Sequence, residues 1–215
     1  TPEFIFKINP HDSEGLYTLS TTTNGALLIS SEDQTVSVWQ FVNDQDDTTN
    51  TNYKKMTIRK FKNFTPIIHE NAYIDESCTI IGNVSIGDKS SVWPQTVIRG
   101  DVQEVTIGKR TNIQDGSILH VTSDNTFTPG GYPLVIGDDV TIGHGVILHA
   151  CIVESMSLIG IGSIVLDGAL VESNTMIAAG SLVSPNKKMK SGFLYKGSPA
   201  KPIRELTDKE LDYIK

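Results

Sequence analysis

Aliphatic residues return every six positions along most of this chain. The series opens with Ile74, Ile80, Ile86, Val92 and Ile98, and resumes after a three-residue excess at Ile107, Ile113 and Leu119. A longer interruption precedes Ile136, Ile142 and Leu148. One hexad is then a residue short, and the series continues through Val153, Ile159, Val165, Val171, Ile177 and Val183. Four positions after each aliphatic stands a mostly small residue, such as Cys78, Ser90, Thr96, Thr111, Ser117, Ser157, Ser163, Ala169, Thr175 and Ser181; Ile152, in the short hexad, is the exception. Glycine often follows the aliphatic directly, as at Gly87, Gly108, Gly137, Gly143 and Gly160. This is neither the period of a helix nor the alternation of a hairpin strand. A six-residue unit has to be a short strand plus a turn. Aliphatics then point inward in layers, small residues permit tight corners, and three units close one coil of a triangular prism.

The ends of the chain carry other patterns. ALLIS (26–30) and TVSVW (35–39) read as two short strands around SEDQ, a hairpin signal, and NDQDDTTNTNYKK (43–55) reads as a linker. TDKE (207–210) is a capping box, with Thr207 as N-cap and Glu210 at the third helical position. The expected organisation is an acidic extension over 1–55, a parallel β-helix over 56–185, and a loop and α-helix packing on it over 186–215.

Composition sharpens this picture. Eighteen glycines and 7% aromatics among 215 residues suit a thin prism of stacked Ile, Val and Leu, with no room for rings. Five of the seven net negative charges fall in residues 1–55. With no basic stripe interleaved with aromatics, nucleic acid is not expected as a partner. No apolar run approaches the roughly 18 residues of a membrane helix, and no signal peptide pattern opens the chain. Two cysteines make no disulfide framework, so a cytoplasmic location is expected.

Of the five histidines, His11 and His69 read as surface residues. Three others gain meaning from the repeat. Let face A begin at Ile74, face B at Ile80 and face C at Ile86, and let each interruption keep phase. His120 and His149 then follow Leu119 and Leu148 on face B, one coil apart, with Arg99 in the same column. Adjacent strands lie about 4.8 Å apart, so two imidazoles in a column can converge on one ion. His144 lies two residues past Ile142, on face A, and does not easily reach the same ion within its own chain. The simplest completion is a neighbouring subunit donating its His144, and a three-sided prism suits a trimer. The plain alternative is a chance column of exposed or interface histidines. Cys78 faces the core, while Cys151, close to His149, leaves a metal or redox role open.

VWPQTVIRGD (92–101), RTNIQDGSILH (110–120), IGDDVTIGHGVILHACIV (136–153) and LYKGSPAKPIREL (194–206) together resemble the γ-class carbonic anhydrase family, in its compact bacterial subgroup. The resemblance implies a mainly β fold, a left-handed parallel β-helix with a C-terminal α-helix. It implies a homotrimer in which His120 and His149 of one subunit and His144 of the next hold zinc, with iron or cobalt as alternatives. It implies reversible hydration of CO2 to bicarbonate by hydroxide on that metal. Arg99, Asp101 and Asp115 match residues of interface salt bridges near the metal, and Gln114 the residue that hydrogen-bonds the hydroxide. Asn112 matches a pocket-lining residue, and Tyr195 a tyrosine near the mouth of the site. Asp115 could instead simply pair with Arg99, Asn112 be a turn residue, and Tyr195 pack the tail.

The chain departs from the family in its proton shuttle. The acidic loop of the archetype is absent. GDVQEV offers Glu104, and the loop VTSDNTFTPGGYP offers Asp124. Other function classes share the repeat: acyltransferases that use an acyl-CoA, a metal-dependent CoA thioesterase, or a non-catalytic trimeric scaffold. Lys187, Lys188 and Lys190 could touch a phosphate-bearing cofactor or be plain surface.

Overall fold

The structure, a computed structural model, describes residues 57–214, and of residues 1–56 the backbone of four strands. His11 and residues 43–52 of the expected linker lie outside the described residues. The chain divides into two compact units, 1–56 and 57–215. In the first, strands Leu16–Thr22, Gly25–Glu32, Thr35–Phe41 and Tyr53–Lys55 pair antiparallel in chain order. The expected hairpin is the pairing of the second with the third, with Leu28 opposite Trp39 and Glu32 opposite Thr35. Tyr53–Lys55, at the end of the expected linker, is itself a strand.

The second unit is the left-handed parallel β-helix, and its register follows the six-residue count. Face A stacks Ile74, Val92, Ile113, Ile142, Ile159 and Ile177. Face B stacks Ile80, Ile98, Leu119, Leu148, Val165 and Val183. Face C stacks Ile86, Ile107, Ile136, Val153 and Val171. Both interruptions therefore keep phase. Except for Ile74 on the first coil, every one of these side chains is buried. Each strand contributes one inward side chain per layer, so the core is a column of aliphatics one residue thick.

The corners have their own code. The third residue after the inward aliphatic is repeatedly left-handed: Gly116, Gly145, Gly162 and Gly180 on face A, and Lys89, Arg110, Asp139, Met156 and Asn174 on face C. The glycine directly after the aliphatic answers a different need. A Cβ on Gly108 would stand 2.6 Å from the Gly137 carbonyl oxygen of the next coil. The small residues are more than small. The buried hydroxyls of Ser90 and Thr111 each donate to a corner carbonyl of the next coil, Gly108 and Gly137, at 2.7 Å. Ser117, Ser163 and Thr175 repeat the contact with Gly143, Ala178 and Lys190 at 3.0–3.3 Å. Ile152 ceases to be an exception, because Ala150 turns left-handed in the shortened hexad and Cys151 takes the buried corner.

The ladder begins close to the expected start and runs past the expected end at residue 185. Ile58–Arg59 and Ile67–Ile68 pair with Thr79–Ile86. Lys188–Met189 and Phe193–Lys196 extend faces C and A, so the coils continue beyond residue 185. The reason is that Met189 and Tyr195 keep the six-residue spacing from Val183, with bulkier side chains at the end of the prism. Lys201–Glu205 then folds back antiparallel on Phe193–Lys196. The C-terminal helix spans Asp208–Tyr213 with both arms of the capping box formed. It buries none of its own residues; only Leu206 and Ile214 at its flanks are buried.

Candidate metal centre

His120 and His149 lie directly opposite one another in the parallel ladder of face B. His120 Nδ1 and His149 Nε2 are 3.1 Å apart. Each ring is held from behind by a carboxylate. Asp101 Oδ1 lies 3.0 Å from His120 Nε2, and Asp167 Oδ1 lies 2.6 Å from His149 Nδ1. An ionised carboxylate only accepts, so each of those ring nitrogens carries the proton. The two remaining ring nitrogens then face each other as lone pairs with no proton between them. That arrangement is repulsive for neutral rings and is relieved by a cation. Their separation is less than twice a metal–nitrogen bond of about 2.0–2.1 Å, so one ion can bond both.

The surroundings favour the neutral imidazole at His120 and the charged carboxylate at Asp101 and Asp167. Burial, joined by the Arg99 charge, lowers the His120 pKa from its ordinary value against the pull of Asp101. Burial acts to raise the Asp101 carboxyl, but hydrogen bonds from His120 and Arg99 outweigh it and hold the group low. Asp167 behaves alike: burial opposes its charge, and hydrogen bonds from Thr122 and His149 prevail. Arg99 pairs with Asp101 through its guanidinium. Asp101 also lines a cleft of about 400 Å³ with Lys62, Asn83, Gln103 and Asp124.

The remaining candidates gather elsewhere. His144 and Asp115 stand on neighbouring coils at the corner where face A turns into face B, with Nδ1 3.0 Å from Asp115 Oδ2 and both side chains about half exposed. Asp115 thus pairs with His144, not with Arg99. Gln114 precedes Asp115 at that corner, and Asn112 donates to Ser91 on the coil before, at 2.8 Å. The whole of face B separates this group from the His120–His149 pair. Among the described residues, no three His, Cys, Asp or Glu of one chain converge to hold an ion.

Two expectations change. Tyr195 is a core residue, stacked in register on Ile177, and its hydroxyl accepts from the Lys190 amide at 2.7 Å. It closes the prism instead of standing at the mouth of a site, because it occupies an inward position of the repeat. Cys151 points into the core, and burial pushes its thiol far up from its ordinary value, which leaves it inert as a ligand. Asp167 and Thr122 escape a reading of the sequence. The available signal is register: Val165 stacks on Leu148, and Asp167 lies two residues beyond it.

Comparison with known proteins agrees with this fold. Residues 65–100 match the bacterial transferase hexapeptide (six repeats) family. The chain is 55% identical to the protein YrdA of Escherichia coli over 71% of its own length and 83% of that protein. It is 49% identical to a carbonic anhydrase of Geobacillus kaustophilus, over 72% of this chain and 81% of the relative. A solved structure of a hexapeptide transferase family protein from Anaplasma phagocytophilum superposes with a TM-score of 0.65 at 41% identity, over 72% of this chain and 87% of the other. With its hexapeptide coils and paired histidines, the chain belongs to the γ-class carbonic anhydrase-like family.

Proposed function

We propose that this protein is a metal-dependent enzyme of the carbonic anhydrase type, interconverting CO2 and bicarbonate at sites shared between the subunits of a cytoplasmic homotrimer. The facing ring nitrogens of His120 and His149 carry the reading. Two imidazoles are one ligand short of a catalytic zinc site, and His144 stands at the other edge of the same face. Between those edges the outward residues Val97, Ile118, Ile147, Ile164 and Leu182 form an apolar column, with Ile118 46% exposed. Three face B surfaces around a threefold axis bury that column and bring the His144 edge of one subunit to the His120–His149 edge of the next.

His120 and His149, with His144 of a neighbouring subunit, would hold zinc, or iron or cobalt in its place, which when bound would supply Lewis acidity to activate water near neutral pH. The residues do the rest. Asp101 and Asp167 hold the imidazoles in place. Gln114, beside the Asp115–His144 pair, orients the attacking oxygen, and Asn112 lines the pocket. Arg99 joins Asp101 to the subunit contact. Glu104 and Asp124 are the carboxylates available to pass the proton to solvent, Asp124 from the wall of the cleft beside Asp101.

Oxygen-18 exchange from labelled CO2, followed with the fully metallated protein, tests the activity. Exchange well above that of His149→Ala is expected; equal rates defeat the reading. The second reading, acyl transfer from a CoA donor, draws on the transferase name of the A. phagocytophilum protein. Protection of the chain by CoA against heating, with no CO2 exchange, favours it.

A further inference from the structure

We infer that Asp167, held by Thr122, is a positioning residue that fixes the tautomer of His149 and so sets how tightly the centre takes a divalent cation. This rests on the metal-site reading above. The two carboxylates behind the histidine pair are not equivalent. Asp101 divides its charge between His120 and the Arg99 guanidinium. Asp167 gives one oxygen to His149 Nδ1 at 2.6 Å and takes the Thr122 hydroxyl on the other at 2.5 Å. Thr122 Oγ1 also stands 3.5 Å from His149 Nδ1, so hydroxyl, carboxylate and ring form one cluster.

The three residues come from three successive coils. Thr122 follows the Leu119 strand, His149 ends the next, and Asp167 follows the Val165 strand below. The ladder stacks these three coils, and side-chain hydrogen bonds then join the three residues. The cluster does one chemical thing: it keeps the proton on Nδ1 and the lone pair on Nε2, the atom that faces His120. Its carboxylate charge is shared with a neutral hydroxyl, so it increases the donor strength of His149 more fully than Asp101, neutralised by Arg99, can for His120. Partners of this kind behind a ligand histidine typically change metal affinity 10–100-fold.

Two measurements separate the inference from the reading beneath it. The first needs no metal. Long-range proton–nitrogen NMR of the metal-free protein should show His149 protonated on Nδ1, and a mixture or reversal of tautomers in Asp167→Ala. The second is competition for Zn2+ against a chromophoric chelator. Asp167→Ala should bind about 10–100-fold more weakly, Asp167→Asn should fall between it and the wild type, and Thr122→Val should weaken binding with an unchanged melting temperature of the metal-free protein. An unaltered His149 tautomer in Asp167→Ala overturns the inference, as does equal affinity in all variants. Affinity losses that simply follow lost melting temperature assign Asp167 a structural role and overturn it too. A wild-type protein that binds no Zn2+ while its tautomer still depends on Asp167 defeats the metal reading and leaves the positioning role standing.

Discussion

At the scale of single residues, two different demands put glycine into these coils, and they predict different costs. Gly116 is left-handed with open space around it. Alanine there meets only the backbone penalty of about 1–2 kcal/mol. Gly108 has no positive φ, yet a Cβ would press on Gly137 backbone and on Asp138 Oδ1 within 2.6 Å. Gly108→Ala should destabilise by roughly 1–3 kcal/mol through displacement of the coil above, and by more than Gly116→Ala. The corner hydroxyls make a parallel case. Thr111 is buried and donates to the Gly137 carbonyl. Thr111→Val keeps the volume and strands that carbonyl, at about 1–3 kcal/mol. Urea unfolding with an unchanged m-value is the measurement. A Thr111→Val midpoint equal to that of the wild type would show that the hydroxyl ladder is incidental to stability.

At the scale of elements, the coils are legible because the core is one residue thick. A single inward side chain per strand turns the hydrophobic pattern directly into register, and that register alone put His120 over His149. The last coils are harder to see because Met189 and Tyr195 keep the spacing without the aliphatic signature, inside a stretch rich in Gly, Pro and Lys. The carboxylates show the other limit. Resemblance marked Asp101 and Asp115, but not that each is bonded to a histidine. Asp167, 18 residues beyond His149, belongs to no recognisable motif, and only the stacking of a third coil brings it in. The C-terminal helix was readable from four residues, and its stability is correspondingly local. Arg204 and the Thr207 hydroxyl and amide draw the Glu210 carboxyl down to about 2. A depressed carboxyl pKa contributes stability above its ordinary value near 4.5 that is lost as the pH falls toward about 2. Since the helix buries no residue of its own, acid in that window should fray it while the coils persist. Loss of amide protection confined to Asp208–Tyr213 is expected, with the same loss at neutral pH in Thr207→Ala. Concerted unfolding of the whole domain at that step would mean the helix anchors the prism.

At the scale of the whole molecule, the site is divided by geometry. One edge of face B carries Arg99, Asp101, His120, His149 and Asp167, and the other carries Gln114, Asp115 and His144. On the proposed reading, a complete centre takes the edges of two subunits. This makes complementation a direct test. A His144→Ala subunit retains the pair, and a His149→Ala subunit retains the third ligand. Each variant alone should bind no ion at the wild-type affinity. Unfolded together in equal amounts and refolded, random assembly makes about three quarters of the trimers mixed, and any mixed threefold ring contains one junction where an intact pair meets an intact His144. About a quarter of the wild-type metal content should therefore return. The recovered sites should vanish when Ile118→Glu, in the apolar column between the two edges, is added to both variants. A mixture that stays empty while wild-type protein refolded in the same way regains its metal would place all the ligands within one chain, or outside these histidines.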